Sequence, residues 1–99
     1  MLVHSVYFWL RDGLSCGELE EFRAGLESLA AIPGVAALHI GAPAPTPPRP
    51  VVVADYTIAI TALMDGMETH DAYQTHPLHL AFLKQFSPMW TRVQVYDFM

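Results

Sequence analysis

Leu2-Val3-His4-Ser5-Val6-Tyr7-Phe8-Trp9-Leu10 opens the chain and decides how the rest must fold. The run is dense in β-branched and aromatic side chains and is closed by Arg11-Asp12-Gly13, so it reads as a strand ended by a turn. Alternation puts Val3, Tyr7 and Trp9 on one face and Val6, Phe8 and Leu10 on the other. Both sets are apolar, and such a strand needs cover on both sides.

The segments that follow supply one of those covers. Ser15 and Glu18 match a capping box, and Leu19, Phe22, Leu26 and Leu29 recur at helical spacing while Glu20, Glu21, Arg23 and Glu27 fall elsewhere. Pro33-Gly34 ends that amphipathic helix, and Val35 to Ile40 form a second strand that stops at Gly41. Ala42 to Pro50 hold five prolines in nine residues and can be neither helix nor interior strand. Val51 to Met64 is the longest strand candidate, Asp65-Gly66 the next turn, and Thr91 to Phe98 the last strand. Between them, Pro77 to Phe86 reads as a helix with Leu80, Leu83 and Phe86 as its apolar contacts.

The order is strand, helix, strand, strand, helix, strand, the βαββαβ of an α+β, ferredoxin-like domain with a four-stranded antiparallel sheet and its helices on one face. Residues 1–99 make one such domain. The opposite face of the sheet is apolar as well, and a second copy packed sheet against sheet covers it with least machinery, giving a homodimeric α/β barrel. Composition points the same way: 53% hydrophobic and only 15% charged residues is more apolar surface than one small domain can hide.

The formal charge of −5 and the lack of any basic cluster exclude the footprint of a phosphate-backbone binder, so nucleic acid is not an expected partner. Val6 to Leu10 is too short to cross a membrane and has no basic segment before it, so neither a span nor a signal peptide is expected. Cys16, the only cysteine, fits a reducing compartment. A soluble cytoplasmic protein follows as the expectation.

Proton-handling chemistry concentrates in His70-Asp71-Ala72-Tyr73-Gln74-Thr75-His76-Pro77-Leu78-His79, where histidine or tyrosine stands at every third position. Pro77 forbids one continuous helix and pushes His76 toward an extended conformation, so the run is a helix, a break and a second helix that begins at the proline. Side chains from the two segments can then converge on one spot.

With this run, the opening Met1-Leu2-Val3-His4 and the closing Trp90-Thr91-Arg92-Val93-Gln94-Val95-Tyr96-Asp97-Phe98, the chain resembles the stress-responsive A/B barrel, or Dabb, family over nearly its whole length. The resemblance implies a small dimeric α+β barrel. One plant member of the family closes a linear polyketide without cofactor or metal, and by motif position its site tyrosine and histidine correspond to Tyr73 and His79, with His4 matching a further site histidine. Ile58 stands where that member carries another pocket histidine. Tyr73 and His79 are thus the catalytic candidates. His4 and His76, with Phe8, Trp9, Phe82, Phe86 and Trp90 as apolar walls, are the candidates to bind a hydrophobic small molecule.

Structural roles compete for the same residues. His79 can hold the broken helix against the sheet through a backbone bond, Tyr73 can be a packing residue, and His76 can cap the segment after it. His70 beside Asp71 reads as solvated, and Asp97 as an ordinary strand-end acid. A zinc site from His4, His76 and His79 lacks a favourable spacing, so no metal and no cofactor is expected. Two classes stand open: a cofactor-free cyclase, isomerase or lyase, and a non-catalytic ligand-binding or structural dimer.

Overall fold

The computed structural model describes every residue from Met1 to Met99. Strand β1 (Leu2–Leu10) leads to helix α1 (Cys16–Ser28) and strand β2 (Val35–Gly41); strand β3 (Ile58–Met64), helices α2 (Met67–Thr75) and α3 (Pro77–Phe86), and strand β4 (Trp90–Phe98) follow. The strands form one antiparallel sheet in the order β2-β3-β1-β4, with β1 central. This is the α+β, ferredoxin-like arrangement expected from the order of elements.

Local chemistry starts and stops the pieces where the sequence says it should. Ser15 accepts from the Glu18 amide at 3.1 Å while the Glu18 carboxylate accepts from the Ser15 amide at 3.1 Å, so two of the free donors at the start of α1 are satisfied. Accepting the Ser15 amide also holds the Glu18 carboxyl below its ordinary range. Gly34 turns the chain into β2 at φ 93°, a conformation that side-chain-bearing residues avoid.

Register then sorts every strand residue onto one of two faces. Leu2, His4, Val6 and Phe8 of β1 stand opposite Met64, Ala62, Ile60 and Ile58 of β3, and this face carries the buried core with Phe22 and Leu26 of α1, Tyr73 of α2, and Phe82 and Phe86 of α3. The other face presents Val3, Tyr7 and Trp9 beside Phe98, Gln94 and Arg92. No helix covers it. Tyr96 and Phe98 remain 56% and 62% exposed there, which bears out an apolar second face.

Two expectations are corrected. The strand expected over Val51 to Met64 exists only from Ile58 onward, because its partners run out: Ala59 already pairs with the last residue of β2, and Ile58 with Phe8. Upstream, the chain is instead pinned to the end of β1 by single bonds, Thr57 N to the Phe8 carbonyl at 2.8 Å, the Leu10 amide to Thr57 Oγ1 at 3.0 Å and Trp9 Nε1 to Asp55 Oδ1 at 3.1 Å. The second correction concerns α3, which buries His79, Phe82 and Phe86, whereas Leu80 is 51% and Leu83 37% exposed. Its inward stripe is rotated by one residue, because His79 rather than Leu80 faces the sheet.

Helices α1 and α3 meet at Gly25, where an added β-carbon would stand 2.3 Å from Phe86 Cε2. Phe86 is itself locked by the rings of Phe22 and Phe82, at 5.5 and 5.2 Å. Gly25→Ala is therefore expected to destabilise the fold by about 1–3 kcal/mol in urea titration, despite the better helix propensity of alanine. Gly17→Ala, whose β-carbon would meet nothing closer than 3.8 Å, should not destabilise it.

Candidate functional site

Pro77 has no amide hydrogen, and its absence rearranges the hydrogen bonds of the whole α2–α3 junction. His76 is extended at φ −64° and ψ 141°, and its amide closes the end of α2 on the Tyr73 carbonyl at 3.2 Å. In an unbroken helix the Leu78 amide would go to the Gln74 carbonyl. Here it goes to His76 Nδ1 at 3.1 Å. The freed Gln74 carbonyl accepts from His79 Nδ1 at 3.0 Å. That bond fixes the tautomer of His79: Nδ1 holds the proton, and Nε2 carries the lone pair.

His79 packs against Tyr73 with ring centroids 4.9 Å apart, and Tyr73 meets His4 edge-on at 5.7 Å. The three line a cavity of about 180 Å³ between helices and sheet, walled by Val6, Phe8, Ile60, Phe82 and Trp90 among others. Burial in these walls pushes the Tyr73 hydroxyl up to about 12, and nothing in the protein hydrogen-bonds it. Burial also lowers His79 below its ordinary value near 6.5; the bond to the Gln74 carbonyl opposes this, and nearby His4 and His70 add to it. At neutral pH the site therefore holds a neutral imidazole and a protonated phenol side by side in apolar surroundings.

Behind His4 lies a second polar layer. His4 Nδ1 stands 2.6 Å from Asp97 Oδ1, across the β1–β4 register, and the ring of His70 lies edge-on to His4 at 5.3 Å. No fully enclosed side-chain nitrogen or oxygen lacks a partner. His4 Nε2 makes no protein hydrogen bond, so it opens on the cavity that the ring lines.

The sequence-based candidates divide into two groups. Tyr73, His79, His4, Phe8, Phe82 and Trp90 converge on the cavity. Trp9 does not, because the pleat sends it to the opposite face, where its ring carries the Arg92 guanidinium at 4.2 Å. Phe86 sits deeper, in the α1–α3 core, and His76 caps α3 rather than lining the cavity. His70 and Asp97 depart from expectation. His70, expected to be solvated, has a side chain only 15% exposed, and Asp97, expected to be an ordinary strand-end acid, is the partner of buried His4. A buried histidine on a strand announces that a partner exists but not which one, since the partner is 93 residues away in sequence.

A groove of about 270 Å³ on the open sheet face, between Tyr7, Trp9, Val51, Val53, Tyr56 and Tyr96, is larger. Its polar groups are Arg92, Gln94 and tyrosine hydroxyls, none of which is a base at neutral pH. The imidazole and phenol pair lies in the smaller cavity.

No helix is long and apolar enough to cross a membrane. No curated protein matches the chain. Among solved structures, a dimeric ferredoxin-like protein of unknown function from Thermobifida fusca is 28% identical over 98% of this chain and 88% of its own, with a TM-score of 0.79. A Dabb family protein with a ferredoxin-like fold from Mesorhizobium loti is 22% identical over 99% and 94%, with a TM-score of 0.81. The hydroxynitrile lyase of Passiflora edulis is 19% identical over 98% and 90%, with a TM-score of 0.83, and shares the fold. The sequence profile of the stress-responsive A/B barrel domain matches residues 2–99, and the chain belongs to that family.

Proposed function

We propose that the protein is a cytoplasmic homodimer that moves a proton on a small hydrophobic carbonyl compound without a cofactor, as a cyclase, isomerase or lyase. The observation that carries this reading is the pairing of His79, neutral and fixed in one tautomer, with an unbonded Tyr73 hydroxyl in an apolar cavity. His79 Nε2 takes a proton from the carbon next to the carbonyl, and Tyr73, which stays protonated, donates to the oxygen where negative charge develops. The mostly apolar lining lowers the polarity around the intermediate. A dry cavity of about 150 Å³ accepts a benzene-sized molecule. The site, at about 180 Å³, therefore suits a single substituted ring rather than a long chain. That a hydroxynitrile lyase is built on the same fold supports a lyase among the candidate reactions.

The second reading, a binding dimer without turnover, is favoured by the mostly hydrophobic cavity lining and by the backbone bond that already gives His79 a structural duty. Phenylacetone in D₂O separates the two, since α-deuterium exchange followed by proton NMR reports proton abstraction whatever the natural product is. Exchange catalysed by the protein should fall by about 10²–10⁴-fold in His79→Ala. Tyr73→Phe should lower it by about 10²-fold with the fold retained. Exchange no faster than in buffer for phenylacetone and related aryl ketones, with a small molecule retained by the dimer in native mass spectrometry, would instead establish the binding reading.

Acid should switch the reaction off. Because His79 must be neutral to act and its pKa is lowered, the rate should hold as pH falls from neutrality and drop only below the ordinary histidine value near 6.5. An acid limb above that value would sink the assignment of His79 as base.

The dimer rests on the uncovered face. Tyr7, Trp9, Tyr96 and Phe98 lie together on it, and solved neighbours from Thermobifida fusca and Bacteroides fragilis are described as dimeric. Sedimentation at micromolar concentration should give a particle of twice 11.0 kDa, and Tyr96→Glu should shift it toward the single chain.

A further inference from the structure

Three side chains from three elements meet beside the cavity without being needed by the proposed reaction. His4 from β1, His70 from α2 and Asp97 from β4 place one ligand atom each within 4.8 Å of one another. We propose that they form a binding site for one divalent transition-metal ion of the zinc type, at the edge of the cavity and distinct from the His79–Tyr73 pair.

The donor set is of the right chemical kind. Two imidazole nitrogens and one carboxylate oxygen suit zinc and its first-row neighbours, whereas magnesium and calcium prefer oxygen donors throughout. The lone pairs are also in place. Asp71 Oδ1 accepts from His70 Nδ1 at 3.2 Å, which leaves the His70 Nε2 lone pair facing outward, 3.9 Å from Asp97 Oδ2. A carboxylate gripping the far nitrogen of a ligating histidine is the support that metal-bound imidazoles ordinarily have. Only the amide of Gln74, at 3.3 Å, competes for that lone pair.

Little movement is needed to close the site. With bonds of about 2.0–2.1 Å in a tetrahedral shell, ligand atoms stand roughly 3.4 Å apart. His70 Nε2 must approach Asp97, 3.9 Å away at Oδ2, and His4 Nδ1 must part from Asp97 Oδ1, 2.6 Å away, while the two imidazoles, whose ligand atoms lie within 4.8 Å, close by up to about 1.4 Å. Asp97, on an edge strand with its side chain 39% exposed, can swing to do both, and the same exposure lets an ion in from solvent.

Occupancy would reach the cavity through one proton. Asp97 now accepts the Nδ1 proton of His4, so Nε2 faces the cavity as an acceptor. An ion on Nδ1 takes the lone pair there, the ring proton moves to Nε2, and His4 becomes a donor to whatever the cavity holds. No proton is gained or lost by the ring.

Titration of the EDTA-stripped full-length protein with ZnCl₂ by calorimetry, and with CoCl₂ by visible absorption, tests the site without any turnover assay, so it stands or falls apart from the role of His79. Wild-type protein should bind one ion per chain, give the intense visible bands of low-coordinate cobalt, and melt at higher temperature with zinc present. His70→Gln and Asp97→Asn should each weaken binding by about tenfold or more, whereas His76→Gln, which removes a capping imidazole outside the cluster, should leave it unchanged. Circular dichroism verifies that each variant folds, and partly exposed His70 serves as the deciding variant if Asp97→Asn does not. Absence of saturable binding by wild type overturns the proposal, as does a His70→Gln protein that binds like wild type.

Discussion

A missing amide hydrogen at Pro77 governs the arrangement of the site. Because the ring cannot donate to Tyr73, α2 ends there, His76 is forced extended, and the Leu78 amide turns to the His76 ring instead of the Gln74 carbonyl. That carbonyl, left over from the broken ladder, orients His79. The tautomer of the imidazole, its proximity to Tyr73 and its placement on the inward side of α3 all trace to one imino acid. A continuous helix would have consumed the same carbonyl internally and left His79 free to rotate.

The sheet imposes the second constraint. Period-two alternation divides the aromatic residues of β1 between two environments, with Phe8 beneath the helices against Phe22 and Trp90, and Tyr7 and Trp9 on the bare side with Tyr56 and Arg92. One face thus carries both the core and the cavity within a single chain. The other retains polar edges, the Tyr7 hydroxyl and the Gln94–Tyr96 pair among them, and these suit an interface better than a core. The proline-rich stretch after β2 returns Val51, Val53 and Tyr56 to this side, so it lies against the sheet face rather than over the catalytic candidates.

Burial sets the electrostatics of the cavity more than charge does. The chain is acidic overall, yet the side chains around Tyr73 and His79 are mostly apolar, and both groups move toward their uncharged forms. Carboxylates enter only from behind, where Asp97 supports His4 and Asp71 supports His70. A pair of neutral groups suited to pass a proton is therefore backed by a charged layer on the side away from the walls, and the ring of His4 connects the two.

Residue pattern alone carried much of this protein. The alternating apolar runs, the Ser15–Glu18 cap, the turn glycines and the Pro77 break are local signals, and they placed the helices, the sheet strands and the convergence of Tyr73 with His79, because capping and pleating depend on neighbours within a few residues. Tertiary structure decided what depends on distant partners. The length of β3 was set by where Gly41 and Phe8 stop offering pairs, the rotation of α3 by the carbonyl that His79 found, and the fates of Trp9 and Phe86 by which side of the sheet and how deep in the core each came to lie. The cluster of His4, His70 and Asp97 was illegible for the same reason: its members are drawn from two strands and a helix, and only the antiparallel register of β1 against β4 brings the two ends of the chain within a hydrogen bond.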